Sequence, residues 1–322
     1  MTVSDWREVT VTRLGWEADG VVSLVFTPTD GAPLPEWGAG AHIDVRLPSG
    51  TVRQYSLCGE PGGPAYTIAV LREADGRGGS AEIHDTALIG RTLSIRGPRN
   101  HFPLESAAHH VLVAGGIGIT PVLAMAREAT ARGDSWELHY GGRAVTTMAF
   151  VDQARALAES AGAPFRLKAG EQLDLPALVR DVPEGGAIHA CGPPGMLAAL
   201  REEIKRSRPS LPLYIEQFTS AGTGSEEPAV PTDGEAFEVE LFRSGETVTV
   251  EPGTSILEAV RTLRPDVLSS CEEGFCGTCE TKVLGGTPVH ADSILSQKER
   301  AENTSMMICV GGCASQRLVL DL

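Results

Sequence analysis

The chain has 322 residues, 42% hydrophobic, 21% charged and 5% aromatic, a composition able to bury two or three cores. Its formal net charge of −15 argues against a nucleic-acid partner, which needs clustered Lys and Arg, and suits an acidic carrier that docks on a basic protein surface. No run of about 18 apolar residues and no signal-like N-terminus is present, so a cytoplasmic protein with no membrane partner is expected.

Residues 1–103 read as an antiparallel β-barrel. "EVTVTRLGWEADGVVSLVFTPTD" gives two alternating runs around a Asp-Gly turn, and "AHIDVRLPSGTVRQYSLCG" and "AYTIAVLRE" continue the series. Residues 104–218 alternate strand and helix, from "HHVLVAGGIGITPVLAMAREATARG" to "AIHACGPPGMLAALREEIKRS". That alternation predicts a doubly wound parallel α/β sheet. Residues 219–236, rich in Ser, Thr, Gly, Pro and acid, read as a linker. Residues 237–322 give a hairpin, a helix at "SILEAVRTL", a cysteine loop and short strands. This last segment holds 7 Lys and Arg against 13 Asp and Glu, a net of −6.

Cys271, Cys276 and Cys279 lie within nine residues, in C-x4-C-x2-C spacing, with Cys309 and Cys313 downstream. This is the plant-type 2Fe-2S spacing. Structural zinc usually takes two closely spaced Cys pairs instead. Glycines such as Gly274 and Gly277 let the backbone come close to the sulfurs. The fourth ligand is Cys309 or Cys313. Cys309 follows the apolar strand "SMMICV", which pins a ligand rigidly, and is favoured on that ground.

"VLVAGGIGITP" and "ACGPPGM" are each a strand, a turn and a helix start, and such turns bind nucleotide phosphates through backbone N–H groups. Cys191 ends a predicted parallel strand, where open sheets bind ligands. In the barrel, strand alternation puts Arg53 and Tyr55 on one face, an anion binder beside a ring that can lie against a flat cofactor. "DGRGGSAEI" is a further glycine turn with a hydroxyl, suited to a phosphate nest or to a plain hairpin loop.

Taken together, "RQYSLCG", "GRGGS", "AGGIGITP", "CGPPGM", "SSCEEGFCGTCET", "HADSIL" and "MMICV…LVLDL" resemble the phthalate dioxygenase reductase family, which includes vanillate O-demethylase reductases. The resemblance covers nearly the whole chain. It implies an FMN-binding barrel, an NAD-binding sheet and a C-terminal β-grasp ferredoxin of the plant type. It implies FMN contacts at Arg53, Tyr55, Ser56, Ala69, Val70, Leu71, Gly78, Gly79, Ser80, Thr120 and Phe218. NADH is implied over Gly115, Gly116, Gly118, Pro121, Cys191, Gly192 and Pro193. Cluster ligands carry over as Cys271, Cys276, Cys279 and Cys309. Ser56 is the candidate for tuning flavin N5, Cys191 for shaping the nicotinamide pocket, and Glu216 for orienting the nicotinamide. Two positions depart from the pattern. Leu71 stands where relatives often have Lys, with Arg72 or Arg77 as substitutes. Gly311–Gly312–Cys313 replaces the usual Ser-Arg after the fourth ligand and its Val.

The expected function follows from electron number. NADH gives a hydride pair, a 2Fe-2S cluster takes one electron at a time, and FMN handles both. The expected protein is an NAD(P)H-dependent oxidoreductase, a monomer, that feeds a terminal oxygenase. A Rieske-type aromatic-ring oxygenase or O-demethylase comes first and a cytochrome P450 second. Glu272 and Glu273 are expected to help dock that partner. A redox sensor and a zinc module are disfavoured, since neither needs a hydride site.

Overall fold

The structure is a computed structural model that describes residues 6–74, 76, 78–218, 236–265, 267–269, 272, 274, 277–292, 294–295 and 297–322. The chain divides into two compact units, Met1–Gln217 and Phe218–Leu322.

The first unit opens with a six-stranded antiparallel sheet. Its order is Val52–Ser56, Ala41–Arg46, Thr92–Asn100, Arg7–Ala18, Val21–Pro28 and Tyr66–Leu71. The two edge strands meet through an antiparallel Leu57–Ile68 bridge, which curls the sheet toward a barrel. Alternation drives it: Val9, Val11, Leu24, Phe26, Ile43, Val45, Ile68 and Ile95 point inward and are buried. Among these apolar strands Asp44 is fully buried and held by two guanidinium groups, Arg96 and Arg99, each at 2.6 Å.

The parallel sheet of the same unit runs in the order Leu213–Glu216, Gly186–Cys191, His109–Gly115, Trp136–Gly142 and Phe165–Ala169. Helices Leu175–Asp181 and Pro194–Ser207 cover one face, packing Leu178, Val179, Leu197 and Leu200 on Val111, Val113, Ile188 and Ala190. Helix Ile119–Arg132 packs on the other side and is buried over most of its length. The strand order reverses between His109–Gly115 and Gly186–Cys191, and at such a switch point a crevice opens beyond the strands' C-terminal ends.

In the second unit a mixed sheet runs Glu246–Val250, Phe237–Leu241, Arg317–Leu320, Glu280–Gly285 and Ser305–Met307. The first and last strands, Phe237–Leu241 and Arg317–Leu320, pair in parallel. Helix Ile256–Arg261, capped by Ser255 Oγ on the Glu258 N–H, drops Ile256, Leu257 and Val260 into a core with Val239, Met306, Ile308 and Leu318. This is the expected β-grasp arrangement. Among the described residues no helix is long and apolar enough to cross a membrane.

Local structure departs from the sequence reading in four places. The glycine turn after Leu71 leads into a helix, Gly79–Asp85, rather than a hairpin loop. Helices Leu175–Asp181 and Gln297–Glu302 were not expected. The strand expected to run through "IEQFT" ends at Glu216, with Phe218 beyond it.

Candidate functional site

Three side chains converge at the switch point. Ser56 ends the barrel strand Val52–Ser56, and its Oγ donates to Glu216 Oε2 at 3.4 Å across 160 residues of sequence. Glu216 ends the strand Leu213–Glu216 and pairs in register with Cys191. Burial pushes the Glu216 carboxyl up to about 8, an effect the Ser56 hydrogen bond only partly offsets. The Cys191 thiol is fully buried, and burial, with Glu216 beside it, raises it well above the usual thiol range. Neither group is set up as a nucleophile or a free base.

The two glycine turns meet beside these residues. A Cβ on Gly118 would stand 2.2 Å from the Cys191 carbonyl oxygen, so only glycine lets the start of the helix Ile119–Arg132 lie on the Cys191–Gly192 backbone. A Cβ on Gly115 would stand 2.6 Å from Pro193 Cδ. Gly115, Gly116, Gly118, Cys191, Gly192 and Pro193 therefore line one backbone surface. Thr120 is buried in the first turn of the helix and donates to the Ile117 carbonyl at 3.0 Å, with Pro121 buried next to it.

On the barrel, Arg53 and Tyr55 pair with Val45 and Ile43 and so share a strand face. The Arg53 stem lies over Gly79, with Cγ 2.6 Å from where a Cβ would be. Gly78, at φ 82°, starts the short helix, and Ser80 Oγ accepts the Glu73 N–H at 3.1 Å. Burial pushes the Tyr55 phenol up. Ala69 and Val70 are buried in the strand Tyr66–Leu71, and Leu71 is half-buried at its end. Arg72, one substitute for the Lys common in relatives, is engaged by Asp85 at 2.5 and 2.9 Å. The other, Arg77, lies outside the described residues. Phe218 belongs to the second unit and is partly exposed.

The sequence reading missed the residues that join barrel and sheet. Glu128 Oε2 accepts the Ala39 N–H at 2.6 Å, and the Arg127 guanidinium donates to the Cys58 carbonyl, both from helix Ile119–Arg132. In sequence these two charges look like an ordinary solvated helix face, and no local signal marks them.

In the second unit Cys279 and Cys309 are both buried. They are brought together by the ladder that pairs Glu280 with Met307, and the Ile308 N–H donates to the Cys279 carbonyl at 3.4 Å. Cys313 stands in a separate two-stranded ladder opposite Pro288, its Sγ donating to the Ser315 carbonyl at 2.8 Å. Cys271 and Cys276, and Glu273 with them, lie outside the described residues. Gly274 is at φ 74°, and a Cβ there would meet Val310 Cγ2 at 2.6 Å and Asp292 Cα at 3.1 Å. Glu272, expected to face a partner, turns its carboxylate to Arg261 at 2.5 Å.

Known proteins share this architecture. Residues 239–311 match the family model described as 2Fe-2S iron-sulfur cluster binding domain. The phenoxybenzoate dioxygenase subunit beta of Ectopseudomonas oleovorans is 42% identical over 311 residues, 96% of this chain and 95% of that one. An intact type IV self-sufficient cytochrome P450 monooxygenase is similar in structure, with a TM-score of 0.87 at 42% identity over 98% of this chain. The match covers 41% of that protein, so this chain spans less than half of its length. A phthalate dioxygenase reductase, described as a modular structure for electron transfer from pyridine nucleotides to 2Fe-2S, matches with a TM-score of 0.69 at 33% identity over 98% of both chains.

Proposed function

Because the chain belongs to the phthalate dioxygenase reductase family of oxygenase reductase components, we propose that it carries electrons from NADH through FMN and a 2Fe-2S cluster to a Rieske-type aromatic-ring oxygenase or O-demethylase. The observation that carries the flavin half is the meeting of Ser56, Cys191 and Glu216 at the switch point, where the barrel faces the nucleotide turns.

The residues present fit the groups this reading needs. Arg53 over Gly79, with Gly78 and Ser80 beside it, makes a cationic cradle for the single phosphate of FMN. Tyr55, Ala69, Val70 and Leu71 would bound the ring system, with Thr120 at its margin. Gly115, Gly116, Gly118, Pro121, Gly192 and Pro193 would take the pyridine nucleotide, for which bare backbone permits a close approach. Cys279 and Cys309 offer two buried sulfurs that, with Cys271 and Cys276, would hold the cluster.

Bound FMN supplies the exchange between a hydride pair and single electrons. The chain supplies position. Glu216 keeps its proton at neutral pH and would be a neutral hydrogen-bonding partner for Ser56 Oγ and the nicotinamide amide. The Cys191 thiol, buried and protonated, would shape the nicotinamide pocket without competing as a nucleophile. Arg127 and Glu128 bond the barrel to the helix Ile119–Arg132 and would so hold the flavin-binding and nucleotide-binding residues in register.

A cytochrome P450 is the second reading for the partner, favoured by the likeness to the reductase portion of the self-sufficient P450. Absorption spectroscopy tests the cofactor train: flavin bands over broad cluster absorption, bleached by NADH, are expected. A colourless protein sinks the reading. Reconstitution with a Rieske oxygenase and with a P450, each scored for coupled product formation, separates the two partners.

A further inference from the structure

Glu272 follows Cys271 directly, and its backbone is at φ 59°, a left-handed conformation uncommon for a non-glycine residue. Among the described residues only Phe150 and Asn303 share it. Something outside the residue has to hold it there. One guanidinium does: Arg261 Nη2 donates to Glu272 Oε1 at 2.5 Å and also to Ser269 Oγ, while Ser269 Oγ stands 3.5 Å from the same carboxylate oxygen. Ser269 lies just before the cysteine run and Glu272 just inside it, so the two residues that Arg261 bonds flank Cys271 in sequence.

Arg261 is well placed for this. It ends the helix Ile256–Arg261, whose Ile256, Leu257 and Val260 are buried in the core. The Leu257 N–H donates to the Ile308 carbonyl at 2.9 Å, directly before Cys309, and Ile308 in turn reaches Cys279. One short helix is thus bonded to the chain beside Cys309 and, through Arg261, to the chain beside Cys271. Gly274 packs against Asp292 and Val310 with no room for a side chain.

We infer that Arg261 is a positioning residue for the cluster: it holds Glu272, which directly follows the proposed ligand Cys271 in sequence, in the left-handed conformation. The inference rests on the reading of Cys271, Cys276, Cys279 and Cys309 as cluster ligands. The Arg261–Glu272 pair is partly exposed, 38% and 44%, so its worth to global stability is small and its effect belongs to the loop.

The test uses the full-length protein loaded with its cluster. Wild-type, Arg261→Ala, Arg261→Lys, Glu272→Gly and the Arg261→Ala/Glu272→Gly double variant are compared by visible circular dichroism, electron paramagnetic resonance, midpoint potential and rate of cluster loss to a chelator. Arg261→Ala is expected to lose its cluster roughly tenfold faster and to shift the spectrum and potential, because the strained turn relaxes. Arg261→Lys is expected to recover part of that loss. Glycine needs no brace at positive φ, so Arg261→Ala should add nothing in the Glu272→Gly background. An unchanged Arg261→Ala protein overturns the proposal. So does an Arg261→Ala effect of equal size in the glycine background, which marks a merely structural arginine. Absence of a cluster spectrum in the wild-type protein defeats instead the ligand reading beneath it.

Discussion

Glu216 is a carboxyl with nowhere to place a charge. Its folded value, about 8, lies above the ordinary 4.5, so the folded state keeps a proton that the unfolded chain releases between those values. The sign is fixed: stability linked to Glu216 is whole below about pH 4.5, falls as pH rises toward about 8, and is flat beyond. The slope is at most about 1.4 kcal/mol per pH unit. Glu216→Gln, which keeps an acceptor for Ser56 and has no proton to lose, is expected to remove that slope. Urea denaturation between pH 5 and 9 measures it, and an unchanged slope shows that Glu216 is ionised in the fold. Gly118 poses the steric version of the same question. A Cβ 2.2 Å from the Cys191 carbonyl must push the nucleotide turn off the sheet. Displacement of about 1 Å at such a site costs roughly a hundredfold in rate. Gly118→Ala is therefore expected to slow flavin reduction by NADH by about that factor with flavin retained. Anaerobic stopped-flow spectroscopy separates slow reduction from lost flavin.

Strands Ala41–Arg46 and Thr92–Asn100 are joined by more than their ladder. Asp44, fully buried, accepts from Arg96 at 2.6 Å and Arg99 at 2.6 Å, and Gln54 reaches it at 3.2 Å from the neighbouring strand. Asp44→Ala strands the Arg96 guanidinium, only 4% exposed, without a counter-charge. A loss of about 3–5 kcal/mol is expected, read as a lower urea midpoint for the first unit. This element was half legible in sequence. "AHIDVR" reads as a strand from its period of two, but nothing in it says that the inward-placed acid finds two arginines some fifty residues on. The same limit recurs. "HHVLVAGG" and "AIHAC" declare buried parallel strands through continuous apolar runs. The helix Leu175–Asp181 had a readable start, Asp174 accepting the Ala177 N–H with Pro176 in the first turn, yet seven residues are too few for a helical period to stand out. Gly79–Asp85 was hidden the same way, since its glycines speak for a turn. The cluster ligands were legible because their spacing is local. The Ser56–Glu216 contact was not, because it joins two elements 160 residues apart, and only the family resemblance pointed to both residues.

At the scale of the molecule, hydride chemistry and one-electron exit fall to different units under the proposed function. The proposed pyridine-nucleotide contacts, and all the proposed FMN contacts but Phe218, lie in Met1–Gln217, and every proposed cluster ligand lies in Phe218–Leu322. Each unit has its own sheet and its own buried core. The acid is unevenly shared, with 13 Asp and Glu against 7 Lys and Arg in residues 237–322. Delivery to a partner should therefore be steered by charge and weaken with salt, as the Debye length shrinks from about 10 Å at 0.1 M to about 3 Å at 1 M. Hydride transfer within the first unit is expected to have no such dependence. A fragment of residues 1–218, which keeps Phe218, puts this division to the test. It is expected to fold, bind FMN and pass electrons from NADH to ferricyanide at a rate within about twofold of the full chain, because a unit with its own core can stand alone. It is expected to support no oxygenase turnover, and its ferricyanide rate should barely change with added salt, whereas oxygenase turnover by the full chain falls. A fragment that still drives the oxygenase moves the electron exit to the flavin and removes the cluster from the path. A fragment that folds but no longer oxidises NADH means that hydride transfer needs the second unit, and the division drawn at Gln217 is then one of packing alone.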